Sequence, residues 1–163
     1  TTMTLIPQVR KATTKPLIAA GGIASGEAML AAMALGAEGI QAGTLFALTE
    51  ESSASEEFKK RCTELAEGDT MLCLKKIAPT RLIKNALYTK LAEAEDKGAT
   101  ADELREILGR AASKRGIFEG DMESGELEIG QIASAIKTIK PVSEVMKELI
   151  SGFEKAKERV ALL

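Results

Sequence analysis

The chain has 163 residues, 45% of them hydrophobic and 28% charged, a balance that suits one ordinary folded domain rather than disorder. Its 22 Lys and Arg against 24 Asp and Glu leave a formal charge of -2, which argues against a nucleic-acid binder built on phosphate neutralisation. Four Phe, one Tyr and no Trp are too few for a base-stacking platform. No apolar run reaches the roughly 18 residues of a membrane span, and Thr1-Thr2-Met3-Thr4 carries no leader pattern, so a cytoplasmic protein is expected. There is no histidine, which excludes histidine-based triads, proton shuttles and histidine zinc sites from this chain. Cys62 and Cys73 cannot build a disulfide framework or a four-sulfur metal site, so reduced thiols and no metal are expected.

Leu17-Ile18-Ala19-Ala20 is a short apolar run between Pro16 and Gly21-Gly22, the pattern of a strand buried on both faces. Ser25 is a candidate N-cap for a helix over 26–35, with Glu27 in its first turn and Gly36 as its stop. Gly39-Ile40-Gln41-Ala42 is a second strand, ending at Gly43-Thr44. Strand, glycine turn, helix, strand, glycine turn is a βα unit and the start of another, with parallel strands joined by a crossover helix. The edge of the first strand carries no charge or proline, so a partner strand is expected beside it, from an upstream segment or another chain.

From residue 51 onward the pattern is charged and helical. Ser53-Ala54-Ser55-Glu56 matches a capping box, with Phe58, Cys62, Leu65 and Ala66 following towards Gly68. Leu82, Ile83, Ala86, Leu87 and Leu91 predict another helix, ending near Gly98. Thr100-Ala101-Asp102-Glu103 is a second capping box. Residues 116–126, rich in Gly and acids, predict a solvated loop. Ile129, Ile132, Ala133, Ile136 and Ile139 predict a helical stripe. After Pro141 a second stripe follows: Val145, Leu149, Phe153 and Ala156. The basic pairs Lys75-Lys76 and Arg81/Lys84 are expected to be solvated or salt-bridged.

Glycine turns after neighbouring parallel strands let backbone N–H groups approach an anion. Gly21-Gly22 and Gly43-Thr44 would form such a divided cradle, and on spacing alone plain turns stay an open alternative. Gly21-Gly22-Ile23-Ala24-Ser25-Gly26 is not the dinucleotide fingerprint, and no Walker motif occurs.

Pro16 to Gly26 and Leu35 to Phe46, followed by Pro79-Thr80-Arg81-Leu82-Ile83-Lys84-Asn85, Glu119 to Gly125 and Gly130-Gln131-Ile132-Ala133, resemble the nitronate monooxygenase family. That family, formerly called 2-nitropropane dioxygenase, includes the type II enoyl-acyl-carrier-protein reductase. The resemblance implies an α/β fold: the last two βα strands of an FMN-binding (β/α)₈ TIM barrel, with a helical C-terminal extension. Residues 1–50 would be the end of the barrel, and 51–163 its final helix and the extension. The N-terminal barrel half, usual in a fold of about 250 residues, would lie outside the chain. By resemblance, Gly21 and Gly22 match the family's penultimate phosphate loop, and Gln41, Gly43 and Thr44 its last. The family's catalytic His lies upstream, so no catalytic residue is expected in this chain, and the chain alone is expected to be inactive. The loop Phe118 to Gly125 looks more like the reductase branch, which implies NADH or NADPH as reductant and an acyl-carrier-protein-linked or small-molecule substrate, in a homodimer. The alternative activity is oxidation of alkyl nitronates with O₂. A non-enzymatic phosphate-binding or helical interaction module is the alternative from another class.

Overall fold

A computed structural model describes residues 1–162. Its elements are α1 (Thr2–Ala12), β1 (Ile18–Ala20), α2 (Gly26–Ala34), β2 (Gly39–Gln41), α3 (Gly43–Ala47), α4 (Glu56–Thr63), β3 (Thr70–Cys73), β4 (Thr80–Ile83), α5 (Ala86–Asp96), α6 (Ala101–Leu108) and α7 (Val142–Val160). A π-helical turn (Lys114–Phe118) and a 3₁₀ turn (Gln131–Ala135) precede α7. The chain divides into two compact units: Thr1–Glu51 with Lys140–Leu163, and Ser52–Ile139.

In the first unit β1 and β2 pair in parallel, with Ile18 opposite Gly39, Ala19 opposite Ile40 and Ala20 opposite Gln41. The crossover is α2, as the spacing predicts. Ser25 accepts the Ala28 amide at 3.2 Å, and Gly36 closes the helix at φ +110°, a left-handed conformation that glycine adopts without a Cβ clash. Ile6, Ala19, Ile23, Ala32 and Ala37 form the core. The helix α7 lies against α2, and the two backbones meet where Gly26 faces Gly152 and Phe153. Of the predicted α7 stripe, Val145, Leu149 and Ala156 are buried and Phe153 is half-buried.

One element of this unit was not read from the sequence, and one reading needs correction. The sequence pattern did not reveal α1, because Pro7 interrupts its helical period. Burial of β1 on both faces is not found among the described residues: Ala19 is buried, but Ile18 is 53% exposed, and Met3 and Leu5 of α1 are 66% and 58% exposed. Successive side chains of a strand point to opposite faces, so Ala19 is buried while Ile18 and Ala20 face outward.

The second unit has its own core of Cys73, Leu74, Leu82, Leu87, Leu91, Leu104 and Ala112. It is less helical than its charge pattern suggests. The strands β3 and β4 form an antiparallel pair, from Thr70 opposite Ile83 to Cys73 opposite Thr80. Residues 127–129 flank β4 on its other side, through Ile83 N to Leu127 O at 2.9 Å and Ile129 N to Arg81 O at 3.2 Å. Leu82 and Ile83 are therefore strand residues, and helix α5 starts only after Asn85, whose side chain caps Tyr88 N at 2.9 Å. The Ile129–Ile139 stripe is a strand-like stretch, a 3₁₀ turn and extended chain, in keeping with the poor helix propensity of its β-branched residues. The first capping box also shifts: Ser55, not Ser53, accepts the Phe58 amide, and α4 ends at Thr63. The second forms as predicted, with Thr100 Oγ1 accepting Glu103 N and Glu103 accepting Thr100 N.

The Gly116–Glu126 segment is packed at its two ends and solvated between them: Gly116, Gly125 and Glu126 are buried, while Phe118, Glu119, Glu123 and Ser124 are exposed. Gly116 and Gly125 are buried against one another, and a Cβ on Gly125 would lie 2.3 Å from Gly116 Cα. Asn85 Nδ2 donates to Met122 O at 3.0 Å and to Gly125 O at 2.9 Å, and Leu87 N donates to Glu123 O. Asp121 Oδ1 folds the tip by accepting Glu123 N and Ser124 N. Burial, with the Glu128 charge adding to it, pushes the Glu126 carboxyl above its ordinary value. The basic side chains hold backbone oxygens: Lys76 Nζ reaches Gly98 O at 2.9 Å and Ala99 O at 2.5 Å, and Arg81 reaches Thr70 O at 3.1 Å.

Candidate functional site

The parallel register decides which loops are neighbours. Ala20 and Gln41 are opposite one another at the C-terminal ends of β1 and β2, so Gly21-Gly22 and Ala42-Gly43-Thr44 leave the sheet side by side. All five residues singled out for the phosphate cradle therefore fall at one end of the strand pair.

Gly21 and Gly22 have φ of +100° and +76°. Two successive left-handed residues turn the chain sharply out of β1, which a side-chain-bearing pair would resist. A Cβ placed on Gly22 or on Gly43 meets nothing within 4 Å, so the backbone faces open space at both positions. Gln41 and Gly43 are exposed, and Thr44 is half-buried in the first turn of α3.

One contact escaped sequence reasoning. Thr2 Oγ1, at the start of α1, donates to Gly21 O at 2.9 Å and holds the first glycine turn. The partners are 19 positions apart, and no pattern in the chain links them. A cavity of about 220 Å³ adjoins this turn, lined by Thr2, Met3, Ile6, Gly21, Gly22 and Ile23 among others. The N-terminus of α2 is already served by its own acid. Glu27's own backbone amide and the Ser25 hydroxyl hold its carboxyl below the ordinary value. Open space at the backbone is found in the glycine turns, at Gly22 and Gly43.

The two thiols are far from reactive. Both are buried, and burial pushes Cys62 up to about 12 and Cys73, which also donates to Glu95 at 3.3 Å, up to about 11. Among the described residues no group of three or more His, Cys, Asp or Glu is placed to hold a metal ion, and no helix is long and apolar enough to cross a membrane.

A parallel β–α–β unit whose second strand ends at a glycine is a repeat of the α/β class, shared by barrels and doubly wound sheets. The chain belongs to the nitronate monooxygenase family, whose profile it matches over residues 1–152. It is 35% identical over 119 residues to a probable nitronate monooxygenase of Staphylococcus saprophyticus, a match covering 71% of this chain and 34% of that protein. FabK from Thermotoga maritima superposes with a TM-score of 0.91 at 33% identity, over 99% of this chain and 51% of that one. The nitroalkane oxidase from Streptomyces ansochromogenes superposes with a TM-score of 0.75 at 29% identity, over 99% and 45%. The chain thus spans a third to a half of the length of these relatives, and its fold is the C-terminal part of their TIM barrel, with residues 52–139 as a second unit set between β2 and α7.

Proposed function

We propose that this chain is the phosphate-binding end of an FMN-dependent oxidoreductase. The observation that carries the reading is the pair of glycine turns following the paired residues Ala20 and Gln41, with open space at the Cβ positions of both Gly22 and Gly43. The residues fit the group: a phosphate needs close backbone approach, and glycine alone leaves the amide uncovered. In this role Gly21 and Gly22 wrap one side of the phosphate, and Gly43 and Thr44 the other. Gln41 offers its side-chain amide at the strand end, and Thr2 fixes the Gly21 turn. Bound here, FMN supplies two-electron hydride chemistry, while the ring's contacts and the catalytic base come from the remainder of the protein.

The substrate reading is reduction of an enoyl thioester with NADH or NADPH, supported by the Phe118–Gly125 loop pattern and the fit to FabK. A second reading, oxidation of alkyl nitronates with O₂, is favoured by the name of the staphylococcal relative. Two measurements on the complete enzyme test these statements. Gly43→Val fills the open position and is expected to lower FMN retention at least tenfold; unchanged retention refutes the cradle. Flavin reduced by NADH and reoxidised by an enoyl thioester supports the reductase, whereas turnover of a nitronate with O₂, without NADH, replaces it by the second reading.

A further inference from the structure

The connection between β2 and α7 is not a loop but a unit with its own core, and the chain leaves and re-enters the first unit at one point. On the outgoing arm Thr49 is buried, donates to Phe46 O at 2.8 Å and bridges in parallel to Lys140. Glu50 N donates to Lys140 O at 3.1 Å. The carboxylate of Glu51, the last residue before the second unit, then accepts the amide of Val142, the first residue of α7, at 2.9 and 3.1 Å. That amide is one of the donors a helix start leaves unsatisfied, and Pro141 before it offers no capping side chain. On the returning arm Lys140 Nζ is held by Glu148 and by Glu144. The two arms are thus tied to each other, and every tie lies inside the first unit.

We propose that residues 52–139 form a separately cooperative insert on a two-armed neck, which Glu51 closes on the first unit's side, so that the insert opens while β1, β2, α2 and α7 stay folded. Two conditions make a segment unfold alone: a core that does not borrow residues, and attachment points that stay ordered without it. The cores around Leu91 and around Ala19 share no residue. The neck meets the second condition, because its hydrogen bonds involve only residues up to 51 and from 140. This goes beyond the functional reading above: in chain order the insert comes after β2 and α3 and before α7.

The experiment is amide hydrogen exchange, read by mass spectrometry, on the complete protein without ligand. It is therefore independent of which reaction is catalysed. Leu91→Ala, in the insert's core, is expected to lower protection within 52–139 by roughly 30- to 1000-fold. The interior amides of α2 and α7 should stay within about threefold of wild type by the same reasoning. Ile83→Val, a milder cut at a buried position elsewhere in the same unit, should give the same partition with a loss of roughly 2- to 10-fold. Glu51→Ala should accelerate exchange at Val142 by roughly 3- to 30-fold and leave the Leu91 core unchanged, while Glu51→Gln, which keeps an acceptor, should recover part of it. Equal loss in both units from Leu91→Ala or Ile83→Val, including global unfolding by either, overturns the proposal, as does an unchanged Val142 in Glu51→Ala.

Discussion

Gly26→Ala is the sharpest test of how the first unit is held together. A Cβ at residue 26 would lie 1.9 Å from Phe153 N, 2.2 Å from Gly152 C and 2.7 Å from Gly152 Cα. All three are backbone atoms of α7, so no side chain can swing aside. To restore ordinary contact α7 must move by about 1.5 Å, which unseats Val145, Leu149 and Ala156 together. Overpacking of this kind costs about 1–3 kcal/mol. The helix-propensity gain of Ala over Gly, at most about 1 kcal/mol, is reduced because residue 26 is the first of its helix. The net expectation is a loss of about 2 kcal/mol, or roughly 4–8 °C in Tm. The control is Gly152→Ala. Its Cβ would sit 3.4 Å from Gly26 N and 3.5 Å from Gly26 Cα, ordinary van der Waals distances, and residue 152 is inside α7. That variant should be neutral or stabilised by up to about 1 kcal/mol. Urea denaturation followed by far-UV circular dichroism compares the two. A Gly26→Ala variant within about 0.5 kcal/mol of wild type, or a Gly152→Ala equally damaged, would refute the account of close backbone contact.

Asn85→Ala removes the cap on Tyr88 and both bonds to the Met122–Gly125 turn, so a loss of about 2–4 kcal/mol is expected, read as an earlier urea midpoint and faster exchange in residues 119–126. Thiol pKa values pushed up to about 12 and about 11 by burial mean that the folded state keeps protons that the unfolded chain releases near pH 9. Stability should therefore fall as pH rises from about 9 towards 12, and a Cys62→Ala/Cys73→Ala variant should show a shallower alkaline decline. Glu103, held below its ordinary value first by the Thr100 backbone amide, carries the opposite sign. Its contribution is present above the unfolded carboxylate range and is lost as pH falls through the lower folded value, so Glu103→Gln should flatten the acid limb of the stability profile.

Local chemistry was enough to write down β1, α2 and β2. Pro16, Ser25, Gly36 and the paired glycines bound those elements wherever the chain is placed, since capping and left-handed turns act within a few residues. The same holds for Thr100-Ala101-Asp102-Glu103, a capping box complete within one turn. The glycine turns at Gly21-Gly22 and Gly43-Thr44 were legible too, because glycine at a strand end is itself a statement about backbone conformation, whereas Gln41 was singled out only by the family resemblance. What the sequence could not decide were choices made by distant partners. Leu82 and Ile83 fit a helical stripe as well as a strand until β3 and residues 127–129 supply hydrogen bonds on both sides. The acidic loop reads as solvated until Asn85, about 40 positions away, ties it to α5. Gly26 reads as an ordinary first-turn glycine until α7 comes back to it from 126 positions further on, at Gly152. Apart from the β3–β4 pairing, which is local, each deciding interaction spans about 40 positions or more, and only the tertiary fold brings those partners together.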